Sequence, residues 1–130
     1  MRFHLAKLND YLRAELLDRE TVEETRHFLK ALAAEAQNTG ITRALICVHA
    51  SRPIFRVEEY QASAYLKELA ARPEARVALL SSRIDVRAAH EYIEVLAMQQ
   101  GANVRSFTDE AQAVAWLRAE APASSKAVAA

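Results

Sequence analysis

The sequence predicts an α/β domain with an open, mostly parallel sheet of five strands, an N-terminal β-hairpin and four flanking helices. Three observations predict this class. Ala44–Val48 and Val77–Leu80 are apolar runs too short for helices, which is typical of buried strands. Segments with helical periodicity alternate with these runs along the chain. Gly40 and Gly101 stand where two of the helices should end. Strands that alternate with helices form parallel sheets through right-handed crossovers.

The N-terminal segment predicts the hairpin. Apolar and polar residues alternate in Phe3–Lys7 and again in Tyr11–Leu16, and the turn-forming pair Asn9 and Asp10 lies between them. We expect the first strand to run antiparallel to the second, at or near an edge of the sheet. A last short strand is predicted at Val104–Phe107.

Local signals predict where the helices begin and end. The first begins at a capping box formed by Thr21 and Glu24. Its predicted apolar face consists of Val22, Leu29, Leu32, Ala33 and Ala36. The second helix is expected over about 57–71. The third is expected over about 86–100, with Val86, Ala89, Ile93, Leu96 and Ala97 on one face.

The fourth helix follows the capping sequence Thr108-Asp109-Glu110, and Phe107 and Trp116 are expected to pack it onto the sheet. Beyond about Glu120 the pattern stops, and Pro, Ser and Ala dominate. The sequence therefore predicts one domain over residues 1–119 and a disordered tail over 120–130.

Composition excludes several function classes. Lys and Arg total 17 and Asp and Glu total 17, so the net charge is zero and nucleic acid is not an expected partner. The single cysteine permits no intrachain disulfide and favours a reducing, cytoplasmic location. No apolar run is long enough for a membrane span. The two glycines lie far apart, so neither a P-loop nor a dinucleotide fingerprint can form, and no cofactor is expected.

The residues with reactive side chains favour structural roles. Cys47 lies within an apolar strand, where packing is the expected role. The four histidines show no metal-site spacing, so no metal is expected. The acidic pairs Glu23-Glu24, Glu58-Glu59 and Asp109-Glu110 each fall in a first helical turn, where the helix dipole favours acids. No acid/base pair is predicted.

Two short polar motifs, each following a buried strand, predict one candidate site. Ligands of open α/β sheets bind beyond the carboxyl ends of the strands, and helix N-termini there favour anions. The predicted anion-binding crevice consists of His49, Ser51, Arg52, Ser81, Ser82 and Arg83. The alternative is that the arginines pair on the surface with Glu58, Glu59 or Asp85.

The order of elements and the C-terminal signature resemble the SpoIIAA-like branch of the STAS domains. The signature is the segment 104–111, in which a strand ending in Phe107 is followed by an acidic cap, and then Trp116-Leu117 on the last helix. The resemblance covers roughly residues 1–119. It implies an open sheet flanked by helices, no established catalytic residues, and a role as an anti-sigma-factor antagonist or a regulatory module. Some related folds bind small or lipidic ligands.

The chain departs from the STAS pattern in one place. STAS antagonists carry a phosphorylatable serine within Asp-Ser-Xaa-Gly, and the corresponding region, residues 51–60, has neither Asp-Ser nor glycine. The phosphorylated role is therefore not carried over to Ser51.

The leading hypothesis is a non-enzymatic regulatory or protein-interaction domain with a protein partner. The alternative is a domain that binds a small anionic or lipidic ligand in the crevice. A hydrolase or transferase is a third hypothesis, which no nucleophile elbow or metal motif supports. A homodimer is also expected, because the net charge is near zero and the hairpin offers an edge strand.

Overall fold

The computed structural model describes residues 2–49, 71–72 and 74–119. In these ranges the order is β1 (Arg2–Lys7), β2 (Leu12–Leu17), α1 (Val22–Thr39), β3 (Arg43–His49), β4 (Arg76–Leu80), α2 (Ile84–Gln100), β5 (Val104–Phe107) and α3 (Glu110–Arg118). The α/β class is confirmed, with three helices in the described part rather than the four expected. The helix expected over 57–71 lies outside the described residues except Ala71, which lies in a turn, and so does the tail from residue 120.

The five strands lie side by side in chain order, β1-β2-β3-β4-β5. The hairpin is confirmed, because β1 pairs antiparallel with β2, with Arg2 opposite Leu17, and forms an edge of the sheet. The Leu8 backbone N–H donates to the Tyr11 carbonyl at 3.0 Å and closes the hairpin turn. Strands β2 to β5 are parallel, so their carboxyl ends share one edge of the sheet.

The helices divide between the two faces of the sheet. On the first face, α1 and α2 pack against alternate residues of β2, β3 and β4, including Leu16, Ile46 and Leu79. On the second face, α3 places Ala113 and Leu117 against the residues of opposite parity. The two described crossover helices, α1 and α2, lie on the first face, as expected if their crossovers have the same hand.

Helix α1 confirms the predicted ends and corrects the predicted face. Thr21 and Glu24 form a reciprocal capping box, and Gly40 ends the helix at φ 74°. The fully buried positions are Phe28 and Leu32, whereas Leu29 is only partly buried. The prediction omitted Phe28, whose ring contacts Phe3 edge-on at 5.5 Å between centroids. Packing against Phe3 of β1 therefore determines that the side of α1 carrying Phe28 faces the sheet.

Helix α2 is capped at its C-terminus, and α3 is held at both ends. Gly101 ends α2 at φ 83°, and the Asp109 carboxylate accepts the Gln112 backbone N–H at 3.2 Å to begin α3. At the other end of α3, Arg43 donates to the Leu117 carbonyl and Arg76 to the Trp116 carbonyl. Arginines that bind the last carbonyls of a helix satisfy acceptors that the helix leaves unpaired. These contacts fix α3 on the second face.

Candidate functional site

The carboxyl edge of the parallel sheet is the place where the described helices begin. α1 follows β2, α2 follows β4 and α3 follows β5, each after a short loop. The positive ends of three helix dipoles therefore lie along one edge, which favours negative charge there. This is the edge of the sheet at which the sequence predicts the anion-binding crevice.

His49 ends β3 at this edge, and its side chain is half exposed. Its Nε2 lies 3.6 Å from the Glu15 carboxylate on the neighbouring strand. His49 has the same parity along β3 as Cys47, which packs on the second face. The imidazole therefore belongs to the second face, beside the acid of β2.

The motif after β4 forms a compact turn. Ser81 is buried, and its Oγ accepts the Arg83 backbone N–H at 3.2 Å. Ser82 and Arg83 are exposed, and the Arg83 guanidinium lies 2.7 Å from the Asp85 carboxylate. The surface ion pair that the sequence offered as the alternative for this arginine is therefore present.

The two remaining predicted site residues, Ser51 and Arg52, lie outside the described residues. Within the described set, Ser81, Ser82 and Arg83 lie together, and His49 lies at the end of the neighbouring strand on the second face.

A buried pair at the same edge was missed by the sequence analysis. Arg19, between β2 and α1, is 6 % exposed, and His90, in the second turn of α2, is 4 % exposed. Burial, and then the positive charge of Arg19, lower the pKa of His90 from 6.5 to about 4, so the imidazole is neutral at physiological pH. Within the described part of the chain, His90 Nδ1 has no hydrogen-bond partner.

Both members of this pair had a signal in the sequence. Arg19 follows β2 as Arg83 follows β4. The predicted crevice, however, includes only residues that follow the two apolar strands, β3 and β4, and β2 is not one of them. His90 is four residues after Val86 and three before Ile93, so helical spacing places it on the predicted apolar face. A polar residue on such a face is unusual enough to mark a candidate site.

The second face carries an ion network where α3 does not cover β2. The Arg13 guanidinium donates two parallel hydrogen bonds to the Glu110 carboxylate, at 3.1 and 3.2 Å. It also lies 3.0 Å from the Glu15 carboxylate. The hydrogen bond with Glu110 raises the pKa of Arg13, and the hydrogen bond with Arg13 lowers that of Glu15. The network ties the start of α3 to the hairpin.

Cys47 lies below this network and is 1 % exposed. Burial raises the pKa of its thiol to about 11, so the thiolate is a negligible fraction at neutral pH. The predicted packing role is confirmed, since the side chain belongs to the apolar cluster under α3.

The opposite, amino edge of the sheet contains a cavity of about 280 Å³ on the first face. It lies between the C-terminal half of α1, the beginnings of β2, β3 and β4, and Ala71, Arg72 and Ala75. The sequence analysis expected a ligand crevice only at the carboxyl edge.

The described residues lack two features that would point to particular functions. They contain no cluster of three His, Cys, Asp or Glu side chains arranged to hold a metal ion. None of their helices has the length and apolar character required to cross a membrane. Comparison with known proteins likewise found no matching family model and no matching curated protein.

Proposed function

We propose that this chain is a non-enzymatic regulatory or protein-interaction domain of the SpoIIAA-like type, and that the exposed side of α2 contacts its partner. The type rests on the sequence resemblance. The contact surface rests on one observation, that α2 exposes large apolar side chains: Ile84 is 79 %, Val95 51 % and Met98 72 % exposed. Solvent-facing apolar side chains on one side of a helix are typical of interaction surfaces.

These side chains form a continuous line. Positions three and four residues apart lie above one another on a helix, and the exposed line runs Ile84, Ala88, Glu91, Val95 and Met98. We call these five residues the α2 stripe. The opposite side of α2 is already occupied, because Val86, Ala89 and Ala97 pack on the sheet. An amphipathic helix needs only one apolar side to pack on its sheet. The stripe is therefore an additional apolar side of α2, which the fold itself does not use.

The charge at the middle of the stripe specifies the partner's chemistry. Glu91 is exposed and interrupts an otherwise apolar line. A partner that covers the stripe would leave this carboxylate desolvated unless it supplies a cation. We therefore infer that the occupant is another protein, whose surface carries apolar side chains on both sides of a Lys or Arg that meets Glu91.

Site-specific photo-crosslinking, followed by binding of the identified protein, tests this proposal. A photo-reactive amino acid at Ala88 should give one crosslinked adduct with another protein in the cells that produce this chain. The same group at Glu23, which is exposed on α1, should give no such adduct. The purified partner should then bind Met98→Glu at least about tenfold more weakly than wild type. Ala34→Glu, an exposed change on α1, should bind like wild type.

Three outcomes would contradict the proposal. Equal adducts from positions 88 and 23 would show that the stripe is not a specific surface. Wild-type affinity in a folded Met98→Glu variant would show that its side chains carry no binding energy. An adduct of two copies of this chain would make α2 a self-association surface instead.

A second candidate function is binding of a small anion at the carboxyl edge. The buried positive charge of Arg19 beside neutral His90 favours it, together with the helix N-termini there. Calorimetry with phosphate and sulfate should show binding that is lost in Arg52→Ala with Arg83→Ala and kept in Arg105→Ala, an exposed residue of β5. No binding at millimolar anion would exclude this function, and equal binding by the double variant would exclude Arg52 and Arg83 as the residues that bind the anion.

A further inference from the structure

The cavity at the amino edge is apolar at its base. Leu12, Leu32 and Val77, each at most 3 % exposed, form part of its wall. They belong to β2, α1 and β4, so three elements of the core converge on one space. Partly buried Ile41 and Ala36 add to the wall. A ligand that enters this space must present hydrocarbon to it, because nothing at its base can hydrogen-bond.

The rim of the cavity is polar. Arg72 and Gln37 line it and are exposed, and the half-buried Thr42 also lines the cavity. Within the described ranges, the Arg72 guanidinium forms no ion pair, in contrast to Arg83 and Arg118, which pair with neighbouring acids. The cation at the rim is therefore available for a ligand anion.

The α1 side of the rim directs the anion toward Arg72. The last turn of α1 carries the negative end of the helix dipole and has no basic residue. Its carbonyls are already engaged, since Ala36 O accepts the Gly40 N–H at 2.8 Å and Glu35 O accepts the Thr39 hydroxyl. Among the described residues that line the cavity, Arg72 alone carries positive charge.

The volume limits the length of the hydrocarbon. A methylene is similar in size to a water molecule, which takes about 30 Å³ in the liquid. A cavity of about 280 Å³ therefore holds a chain of about eight to ten carbons. Apolar walls with a few polar groups at the opening are typical of small-molecule sites.

We propose that this cavity binds a straight-chain monocarboxylate, with its hydrocarbon against Leu12, Leu32 and Val77 and its carboxylate on the Arg72 guanidinium. The site is separate from the α2 stripe and from the carboxyl edge. It is open to testing whatever the outcome for either of them.

Calorimetry with hexanoate, octanoate, decanoate and dodecanoate tests the apolar part. Affinity should rise by about fourfold for each added methylene up to decanoate. It should rise no further at dodecanoate, because the cavity is then full. No binding of decanoate at millimolar concentration, or a steady rise through dodecanoate, would overturn the proposal.

Filling the cavity should weaken binding. Ala36→Leu and Ala33→Leu each add three carbons at the wall, so each should weaken decanoate by about sixtyfold, at about fourfold for each displaced methylene, while both keep a cooperative thermal transition. Ala34→Leu is the matched control, because residue 34 is exposed on α1 and does not line the cavity. Wild-type binding by either folded filling variant would show that the ligand lies elsewhere.

Removing the cation should affect only the charged ligand. Arg72→Gln should weaken decanoate about tenfold and leave decanol unchanged, since the alcohol makes no ion pair. Arg105→Gln, an exposed arginine on β5, should leave both unchanged. An equal loss for decanoate and decanol, or no loss for either, would rule out the assigned role of Arg72.

Discussion

At the scale of single residues, His90 is the side chain whose chemistry the fold changes most clearly. Its imidazole is nearly fully buried close to the positive charge of Arg19, and both effects disfavour the protonated form. In the unfolded chain no such penalty exists. The folded state therefore binds a proton on His90 less readily than the unfolded state, and this difference must appear as a dependence of stability on pH.

His90→Leu should reveal that dependence. The pKa of His90 falls from 6.5 to about 4 on folding, so wild type should lose stability as pH falls through this window. The loss reaches roughly 3 kcal/mol near pH 4, at about 1.4 kcal/mol per pH unit. Above pH 7 this contribution vanishes. The difference in unfolding free energy between wild type and His90→Leu, measured by urea denaturation from pH 7.5 to 4.5, should follow the same curve.

Replacement of an exposed histidine provides the control for this experiment. His27→Gln on α1 should keep the wild-type pH dependence, because the control residue is exposed. The carboxylates are shared by all three proteins, so their titration cancels in the differences. A His90→Leu difference that stays constant across the pH range would mean that the imidazole is not held neutral by the fold.

At the scale of secondary-structure elements, local signals predicted well and distant ones did not. The Thr21–Glu24 capping box and the left-handed Gly40 and Gly101 depend on neighbouring residues, and the structure has all of them. The strands were predicted within one residue at each end, because apolar runs mark β3 and β4 and the alternation of apolar and polar residues marks the hairpin. The buried face of α1 was wrong at Phe28, because its partner Phe3 lies on another strand.

The same difference between neighbouring and distant residues explains which parts of the candidate sites could be predicted from the sequence. The turn after β4 could be predicted, since Ser81, Ser82 and Arg83 are consecutive. The two hydrogen bonds between Arg13 and Glu110 join residues 97 positions apart, and no local sequence pattern predicts such a contact. The amino-edge cavity was also beyond prediction, because it is the space left between three elements whose packing only the fold determines.

At the scale of the whole molecule, the edge of β1 that no described strand pairs with is the surface where we expect the homodimer predicted from the sequence. Phe3 and Leu5 are partly buried on the first face. An antiparallel contact between two β1 strands that sets Phe3 opposite the partner's Leu5 would join the two apolar faces. Arg2 and Lys7 are exposed near the two ends of the strand, where charges limit unspecific pairing.

Light scattering over a range of concentrations tests this association. The mass should approach twice 14.5 kDa at high concentration. Met98→Glu should leave the dimer intact, because it changes α2 and not the edge of the sheet. A mass of 14.5 kDa at every concentration would refute the dimer. A dimer that Met98→Glu dissociates would assign the contact to the α2 stripe.

The strand order has a consequence for synthesis on the ribosome. Because the strands are neighbours in the order in which they are made, each parallel strand can join the sheet at its growing edge as it emerges. The first face receives α1 early, but the second face receives its only described helix, α3, after every strand is complete. No other described helix packs on Leu45, Cys47 and Ala78, so until α3 is made the described part of the nascent chain presents a transient apolar sheet surface of the kind that chaperones bind.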